Sequence, residues 1–465
     1  MNMNDFLSKR FFSFRFILIL IIIFFIFLVF ILSSIKDRNN LNGKLFKILN
    51  FLGDIPQNIM NIKIVNGELV NKSDIPILDK AKNDNLDNLV IFKPYVTDDL
   101  ILISRYDPEK YGSIIEVRNV SNLDLIFSFR PNVEKILESV DHNLEINKDL
   151  KVNNSKIRFE FIHPLLTKEL SIITHAEYGP LFKIDRCNNI EWMNDKFNFH
   201  HSINYSYDGN IWIPIRFNPY SETVSKYIKK FGFTDDGIAK VDINSGQLLY
   251  TKSIIELLIE NKIFYESDFF SKNKSYDPIH VNSIIEIPAN SKVWNKGDLL
   301  LSINHLSSII HYRPSTNKVI NYIKGPFFQQ HDINIINDHT IAFFNNNEKI
   351  DPSYIPRQDE QSSIMFYDFL TNEFRTKLIK LPNARVFKTW SQGIVDFTDT
   401  NAYFVEEQNQ GRLIFFDEND DLIWILTNKK DNNYYPFSWS RLINDKNLIE
   451  NIILNKNESC IHLTK

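Results

Sequence analysis

236-DGIAKVDINSGQLLYTKS-253 contains two short runs of alternating apolar and polar residues, separated by a turn that includes Asn244 and Gly246. Such alternation on both sides of a polar turn is typical of a β-hairpin. The same arrangement recurs, and six copies start about 60 residues apart: 112–129, 179–194, 236–253, 307–325, 362–378 and 411–427. The chain is therefore predicted to be a repeat protein.

A more apolar strand precedes the hairpins, at 99–105, 169–177, 210–217, 298–305, 340–347 and 402–407. Near-continuous apolar runs are typical of strands that are buried on both faces, and we assign them to the inner strands of a closed array. Six units of about four strands each predict an all-β fold, a six-bladed β-propeller. A β-sandwich with additional domains is the alternative. Beyond residue 60, a helix is expected at 252-KSIIELLIENK-262.

The N-terminal region has a different composition. Residues 16-FILILIIIFFIFLVFILSSI-35 are apolar over about 20 residues, which is enough to span a bilayer core. Lys9, Arg10 and Arg15 precede this stretch and favour a cytoplasmic N-terminus. Because the stretch ends without the small-residue site of a cleaved signal peptide, we expect an uncleaved anchor. Either interpretation places the propeller on the outer side of the membrane, periplasmic or extracellular.

The rest of the composition fits one globular unit. The net charge is −4 and no basic face is evident, so nucleic acid is not an expected partner. We divide the chain into a signal anchor at 1–36 (transmembrane at about 16–35), a membrane-proximal connector at 37–95 and a propeller at 96–465.

The chain has two cysteines, Cys187 and Cys460, which permit at most one intramolecular disulfide. Cys187 lies in a hairpin turn and Cys460 near the C-terminus, so a bridge is the less favoured alternative. No group of cysteines and histidines has the spacing of a zinc site, and no metal is expected.

Two further segments match each other, 201-HSINYSYDGNI-211 and 331-HDINIINDHTI-341. Each begins with a histidine, has Ile-Asn two residues later and an Asp seven residues later. His280, in 277-DPIHVNSI-284, lies between them. Because equivalent positions of propeller repeats meet at one mouth of the channel, we expect His201, His280 and His331 in one pocket. The other histidines are expected at the surface (His142, His339, His462) or in packing roles (His163, His175, His311).

These segments resemble the arylsulfate sulfotransferases, a family of six-bladed propellers. The resemblance rests on FHHSINYSYDGNIW (199–212), DPIHVNSI (277–284), QQHDINIINDHTIAFFNN (329–346) and the stretch 391–426, and it extends over about residues 95 to 445. It implies an exported enzyme that moves a sulfuryl group from an aryl sulfate donor to a phenolic acceptor. It also implies that neither a nucleotide sulfate, a cofactor nor a metal is required.

The resemblance assigns roles residue by residue. His331 matches the sulfated histidine, a nucleophile that divides the transfer into two displacements. His280 matches a histidine that protonates the leaving phenolate and later deprotonates the acceptor. His201 matches a third histidine, which we assign to the sulfuryl oxygens. His200 is expected to point to the opposite face of its strand, which makes it the weaker candidate.

One position departs from the family pattern. The family has a sulfate-binding arginine on the strand after the second histidine, where this chain reads 301-LSINHLSSI-309 and has Asn304. Asparagine donates hydrogen bonds but has no bidentate cation. His305 or Arg216 are the candidates to compensate.

Two alternatives to sulfuryl transfer remain, the first favoured by Asn304 and the second by the similar blades of another class of propeller. A propeller that keeps the histidine pocket for binding or for other chemistry is the first. A quinone-cofactor dehydrogenase is the second, although the six tryptophans lack the regular placement of its docking motifs.

Overall fold

The computed structural model describes residues 19, 21–28, 62–65, 68–71, 75–78, 88–147, 157–228, 233–270, 276–348, 361–382 and 385–456. The chain divides into two compact units, residues 1–75 and 76–465. In the first unit, residues 21–28 are helical, and β1 (Ile62–Val65) pairs antiparallel with β2 (Glu68–Asn71).

The predicted transmembrane segment at 16–35 lies mostly outside the described residues. Among the helices that the structure describes, none is both long and apolar enough to cross a bilayer. Cys460 also lies outside the described residues, so the Cys187–Cys460 bridge stays the less favoured alternative.

The second unit consists mainly of strands. In chain order they are β3 (Leu89–Ile91), β4 (Leu100–Asp107), β5 (Gly112–Asn119), β6 (Leu125–Phe129), β7 (Ile162–Leu166), β8 (Ile172–His175), β9 (Gly179–Ile184), β10 (Ile190–Phe199), β11 (Asn204–Tyr205), β12 (Ile211–Arg216), β13 (Asp236–Val241), β14 (Leu248–Ser253), β15 (Val281–Glu286), β16 (Leu299–Ile303), β17 (Ser308–Arg313), β18 (Lys318–Lys324), β19 (His331–Ile335), β20 (Thr340–Asn345), β21 (Ser363–Asp368), β22 (Glu373–Leu378), β23 (Ile394–Phe397), β24 (Tyr403–Glu407), β25 (Arg412–Phe416), β26 (Leu422–Thr427), β27 (Lys429–Lys430), β28 (Asn433–Tyr434) and β29 (Arg441–Ile443).

The helices of this unit are short. They are α1 (Val133–Ser139), α2 (Glu222–Tyr227), α3 (Ile254–Glu260), α4 (Glu266–Phe270) and α5 (Lys446–Asn455), with 3-10 turns at Glu145–Asn147, Pro314–Thr316 and Gln408–Gln410. The predicted helix at 252–262 is confirmed by α3, which begins after the capping residue Ser253, whose side chain accepts from the Glu256 backbone N–H.

The sheets have the arrangement of a β-propeller. Each predicted hairpin is confirmed, as β5–β6, β9–β10, β13–β14, β17–β18, β21–β22 and β25–β26. The short C-terminal strand β29 pairs with β4, so the end of the unit is joined to its beginning. Closure of this kind removes the unpaired sheet edges that an open array would expose.

The prediction of six separate blades is not confirmed. Four sheets have the size of a blade: β29-β4-β5-β6, β15 to β18, β19 to β22, and β23 to β26 with β3 added at the edge. The strands β7 to β14 are instead hydrogen-bonded as a single eight-stranded sheet, in which β10 pairs directly with β12. The strand β3 also shows that the predicted connector at 37–95 contributes to a sheet.

The assignment of the most apolar strands to the inner edge was wrong. These strands, for example β16 and β24, are the second strands of their sheets, and another strand lies between each of them and the channel. A second strand is covered on both faces by neighbouring sheets, and every residue of β16 and β24 is buried. The true inner strands line a channel, which explains why they carry polar residues and escaped the apolar pattern.

Side chains at the channel link each inner segment to the next one. In five links a side chain accepts a hydrogen bond of 2.8–3.4 Å from a backbone N–H of the following inner segment: His163 from Ile203, Ser202 from Ile284, Ser283 from Ile333, Asp332 from Val395 and Asp396 from Leu442. In the sixth link, Arg441 donates to the backbone carbonyl of His163 at 3.4 Å. These contacts form a closed cycle around the channel and fix the inner strands relative to one another.

Replacement of Asp396 by alanine is expected to lower the free energy of unfolding by about 2 kcal/mol, because the buried Leu442 N–H loses its acceptor. Urea denaturation measures this difference. The matched control is Asp399→Ala, whose carboxylate only accepts from Asn444 at the surface and should change stability by less than about 0.5 kcal/mol. Equal losses in the two variants would contradict the linking role of Asp396.

Candidate active site

The structure brings the three candidate histidines together at one mouth of the channel. The ring centroid of His201 lies 4.9 Å from that of His280 and 6.0 Å from that of His331. Trp439 contacts two of them, with its ring 5.4 Å from His201 and 6.0 Å from His331. Trp439 lies just before β29, and the sequence reasoning missed it because that closing strand is only three residues long.

Unusual backbone geometry places these rings in the mouth. His201 and His280 have φ angles of 60° and 58°, in the left-handed region that side-chain-bearing residues rarely adopt. Each of them precedes an inner segment, where the chain turns inward from the preceding sheet. Strained positions of this kind persist where the surrounding structure holds them, and they are frequent at functional sites.

His331 has a defined tautomer. Its Nδ1 lies 2.7 Å from Asn346 Oδ1 and 3.1 Å from the Gln329 carbonyl oxygen, and both of these atoms are acceptors. Nδ1 therefore carries the proton, and Nε2 keeps the lone pair. Burial lowers the pKa of His331 to about 3, although the bond to Asn346 opposes this shift. The ring is thus neutral at neutral pH, with a nucleophilic nitrogen.

Asn346 is itself fixed in orientation. Its Nδ2 donates to the carbonyl oxygens of Thr389, at 3.0 Å, and Gln392, at 2.6 Å. These two acceptors direct Oδ1 towards His331. The sequence reasoning missed this residue, because asparagine is abundant in the chain and Asn346 is one of three consecutive asparagines.

Replacement of Asn346 by leucine is expected to lower kcat about tenfold, because the Nδ1 proton loses its better acceptor and the lone pair is no longer confined to Nε2. KM should change less than kcat, since Asn346 does not reach the substrate. The matched control is Asn345→Leu at the adjacent position, whose amide bonds to Ser363 and the Phe328 N–H instead of a histidine. A loss confined to KM would contradict the positioning role.

His280 is paired with a carboxylate. Its Nδ1 lies 2.9 Å from Asp277 Oδ2, which orients the ring and leaves Nε2 for proton transfer. Burial opposes ionisation of Asp277, but the hydrogen bond from His280 and the charges of His280 and Arg216 outweigh it, so its pKa lies below the ordinary value. Asp277 is the first residue of the DPIHVNSI segment, so this carboxylate was within reach of sequence reasoning, which gave it no role.

The candidates for substrate binding occupy different positions. His305 stacks on His280 at 4.6 Å, and its Nδ1 lies 2.7 Å from the Asp277 carbonyl oxygen. Asn304 donates its amide to the Gln329 carbonyl at 3.2 Å, next to His331 but directed at the backbone. Asn304 thus links β16 to the His331 segment.

Arg216 is the guanidinium at this mouth. It lies 3.8 Å above the ring of Tyr178, and it donates to Asp236 at 3.1 Å and to Asp277 at 3.0 Å. The Tyr178 ring in turn lies 6.4 Å from His201. Arg216 is therefore a cation held in one orientation beside the histidines.

The expected orientation of His200 was wrong. His200 does not point away from the site: its Nδ1 lies 2.8 Å from His201 Nδ1, and its ring is 6.3 Å from that of His280. The prediction assumed strand alternation, which the positive φ of His201 interrupts. Burial holds the pKa of both His200 and His201 well below the ordinary value, so both rings are neutral.

Three groups at this mouth could bind a metal ion. Single ligand atoms of Asp277, His280 and His305 lie within 4.8 Å of one another. The same Asp277 carboxylate is bonded to the Arg216 guanidinium, which opposes a second cation there. We therefore assign these residues to proton transfer and binding.

The structure has a separate cavity of about 630 Å³. Asp332, Asp396 and Arg441 contribute to its wall, whereas the three candidate histidines do not. Those three wall residues belong to the cycle of links between inner segments, so the cavity is separate from the cluster of candidate histidines.

A known protein family matches the part of the chain that contains this site. The family model described as arylsulfotransferase (ASST) matches residues 172–429, which include every histidine of the cluster. The chain belongs to the arylsulfotransferase family. Membership in this family indicates a transferase-like enzyme. The cluster of histidines at the channel mouth is its candidate active site.

Other comparisons are distant. Among curated proteins, none matches the arylsulfotransferase-family chain. A protein of unknown function from Bacteroides caccae has 11% identity and a TM-score of 0.44, over 75% of this chain and 99% of its own. Streptogramin B lyase has 12% identity and a TM-score of 0.38, over 74% and 88%. Virginiamycin B lyase from Staphylococcus aureus has 9% identity and a TM-score of 0.33, over 58% and 71%.

Proposed function

We propose that the protein transfers a sulfuryl group from an aryl sulfate to a phenol by two displacements at His331. The observation that carries this proposal is the neutral His331 ring, whose Nδ1–H is bonded to Asn346 and whose Nε2 keeps its lone pair. A neutral imidazole nitrogen is a competent nucleophile once a neighbouring group fixes its tautomer.

In the first displacement, His331 Nε2 forms a bond to sulfur while the bond between sulfur and the aryl oxygen breaks. The departing phenolate takes a proton from Nε2 of protonated His280. Asp277 supports this step, because its carboxylate stabilises the imidazolium through Nδ1.

The second displacement reverses the first. The acceptor phenol loses its proton to His280, its oxygen bonds to sulfur, and the bond between sulfur and Nε2 breaks. The products are the free phenol of the donor and the aryl sulfate of the acceptor, and both histidines return to their starting state. No cofactor or metal enters the balance.

Arg216 and His201 are assigned to the sulfuryl oxygens. Arg216 supplies positive charge in place of the arginine that Asn304 replaces, and Asp236, Asp277 and Tyr178 hold it in position. His201 is assigned to this role because its ring lies 6.0 Å from that of His331 and 4.9 Å from that of His280.

We further propose that the propeller has six blades and that a membrane anchor precedes it. A six-bladed ring is supported by the six hairpins, two of which lie in the eight-stranded sheet. A membrane anchor at 16–35, with the ring on the outer side, is supported by the apolar run and the preceding basic residues.

Incubation of the purified full-length protein with para-nitrophenyl sulfate and a second phenol tests this function. Coloured para-nitrophenol and the sulfated second phenol are expected in equal amounts, with parallel double-reciprocal plots because the two substrates react in turn. Absence of phenol release with any acceptor would overturn the proposal.

A second function is favoured by one observation. Because the Asn304 amide is bonded to a backbone carbonyl, the site lacks one family donor to sulfate, which would suit a binding protein or an enzyme of other chemistry. Binding of a phenol to the histidine mouth without any turnover would support this alternative.

A further inference from the structure

Two carboxylates at the histidine mouth have no role in the proposed reaction. Glu177 lies in the turn between β8 and β9, directly before Tyr178, which contacts His201. Glu160 precedes β7 and accepts a hydrogen bond from Ser438 at 3.2 Å, directly before Trp439. Glu177 is therefore adjacent in sequence to one aromatic residue that contacts the candidate histidines, and Glu160 is bonded to the residue that precedes the other.

Neither carboxylate is balanced by a cation among the described residues. Among the described residues, Glu177 accepts no hydrogen bond, and neither glutamate forms an ion pair. The neighbouring guanidinium of Arg216 is bonded to Asp236 and Asp277 instead. The two charges are close enough to act on each other, since the charge of Glu177 raises the pKa of Glu160 and Glu177 itself interacts with His280 and Arg216.

The space beside these carboxylates also holds unsatisfied nitrogen atoms. His331 and His201 are only 4% and 7% exposed, and no described residue bonds to the Nε2 of either ring. A ligand in this mouth would thus be near histidine nitrogens, the aromatic rings of Tyr178 and Trp439, and the two carboxylates that neighbour those rings. Carboxylates combined with aromatic rings form a favourable environment for an ammonium group.

We propose that Glu160 and Glu177 select phenols that carry an ammonium group, both as acceptors and as sulfated donors. This inference rests on the proposed function. The ammonium lies at the two carboxylates, and the phenol oxygen reaches sulfur at His331. In the transfer, only the phenolic proton moves to His280, and the ammonium keeps its protons.

The loss of folding stability on ionisation of the buried Glu160 carboxyl agrees with a binding role. Burial, followed by the charge of Glu177, raises the pKa of Glu160 to about 8, from 4.5. Because the folded state holds this proton more tightly than the unfolded chain, stability that is present below pH 4.5 is lost as the pH rises towards 8. An ammonium ligand would compensate for this unfavourable charge.

Three para-substituted phenols test the inference, with para-nitrophenyl sulfate as donor: tyramine, which carries an ammonium, para-ethylphenol, which is neutral, and para-hydroxyphenylpropionate, which carries a carboxylate. For the wild type we expect kcat/KM in that order, with at least about tenfold between the first two, as for an ion pair of about 1.4 kcal/mol. In the variants Glu160→Gln and Glu177→Gln, the ratio of kcat/KM for tyramine to kcat/KM for para-ethylphenol should fall towards one.

Stability provides an independent readout. Glu160→Gln should unfold at a higher urea concentration than the wild type at pH 8 and at nearly the same concentration at pH 4.5, since glutamine does not ionise. Glu138→Gln, at an exposed position on α1, is the control that should change neither stability nor selectivity. Stabilisation together with lost selectivity distinguishes a binding carboxylate from a structural one.

The outcomes separate this inference from the function on which it rests. Turnover without charge preference, or with a preference that both variants keep, would overturn the inference and leave the function standing. If no phenol reacts, the proposed transferase function is contradicted. The affinities for tyramine and para-hydroxyphenylpropionate, measured by calorimetric titration, then test the ammonium selectivity on its own. Tyramine binding that both glutamine variants weaken would still support it, and equal affinity for both compounds would overturn it.

Discussion

The His331→Gln variant is expected to release no phenol from para-nitrophenyl sulfate above the uncatalysed rate. Glutamine fills a similar space and hydrogen-bonds to Asn346, but its amide nitrogen has no lone pair for attack on sulfur. Intact-protein mass spectrometry after incubation with the donor alone should detect one added sulfuryl mass on the wild type and none on the variant. Because nucleophile and covalent adduct disappear together, the loss should be the largest of any single substitution.

The His339→Gln variant is the matched control. His339 lies in the same duplicated segment, eight residues further along the sequence, and it contacts Asp338 and Asp368 at the surface. It should form the adduct and turn over as the wild type does. Adduct formation in His331→Gln would show that another histidine is the nucleophile, and His201, whose ring lies 6.0 Å from that of His331, would be the first to examine.

Sequence periodicity was sufficient to predict the hairpins and the meeting of the three histidines. Alternation of apolar and polar residues is a local signal, and the equivalent positions of repeats meet in space wherever the repeats are arranged around an axis. His201 and His331 could therefore be placed in one site from their duplicated segments alone. The number of separate blades could not be predicted from periodicity, because the pairing of β10 with β12 depends on how two neighbouring repeats pack.

The groups that orient the histidines could not be predicted in the same way. Asn346 acts on His331 only because the carbonyls of Thr389 and Gln392 fix its amide, and these residues lie 43 and 46 positions away. The position of His200 depends on the left-handed backbone conformation of His201, which no local sequence pattern predicts. The inner strands were misassigned for a related reason, since polar residues that face a channel resemble those that face solvent.

Replacement of His280 by glutamine is expected to have an effect that depends on the donor. Phenyl sulfate releases a phenolate with a high proton affinity, so it needs the proton from His280, and its reaction should slow by about a hundredfold to ten-thousandfold. The more acidic para-nitrophenol leaves without this help, so para-nitrophenyl sulfate should form the adduct on His331 at a rate much closer to that of the wild type. Single-turnover measurement of adduct formation with both donors gives this comparison directly.

The Asp277→Asn variant tests the origin of the effect. Asparagine keeps a hydrogen-bond acceptor near His280 Nδ1 but loses the charge that stabilises the imidazolium, so the phenyl sulfate reaction should be slowed less than in His280→Gln. Asp277 also holds Arg216, which makes a rise in KM for both donors the expected accompaniment. If His280→Gln slowed both donors equally, His280 would act by binding the sulfuryl group, and proton transfer would have to come from His305, whose ring stacks on it at 4.6 Å.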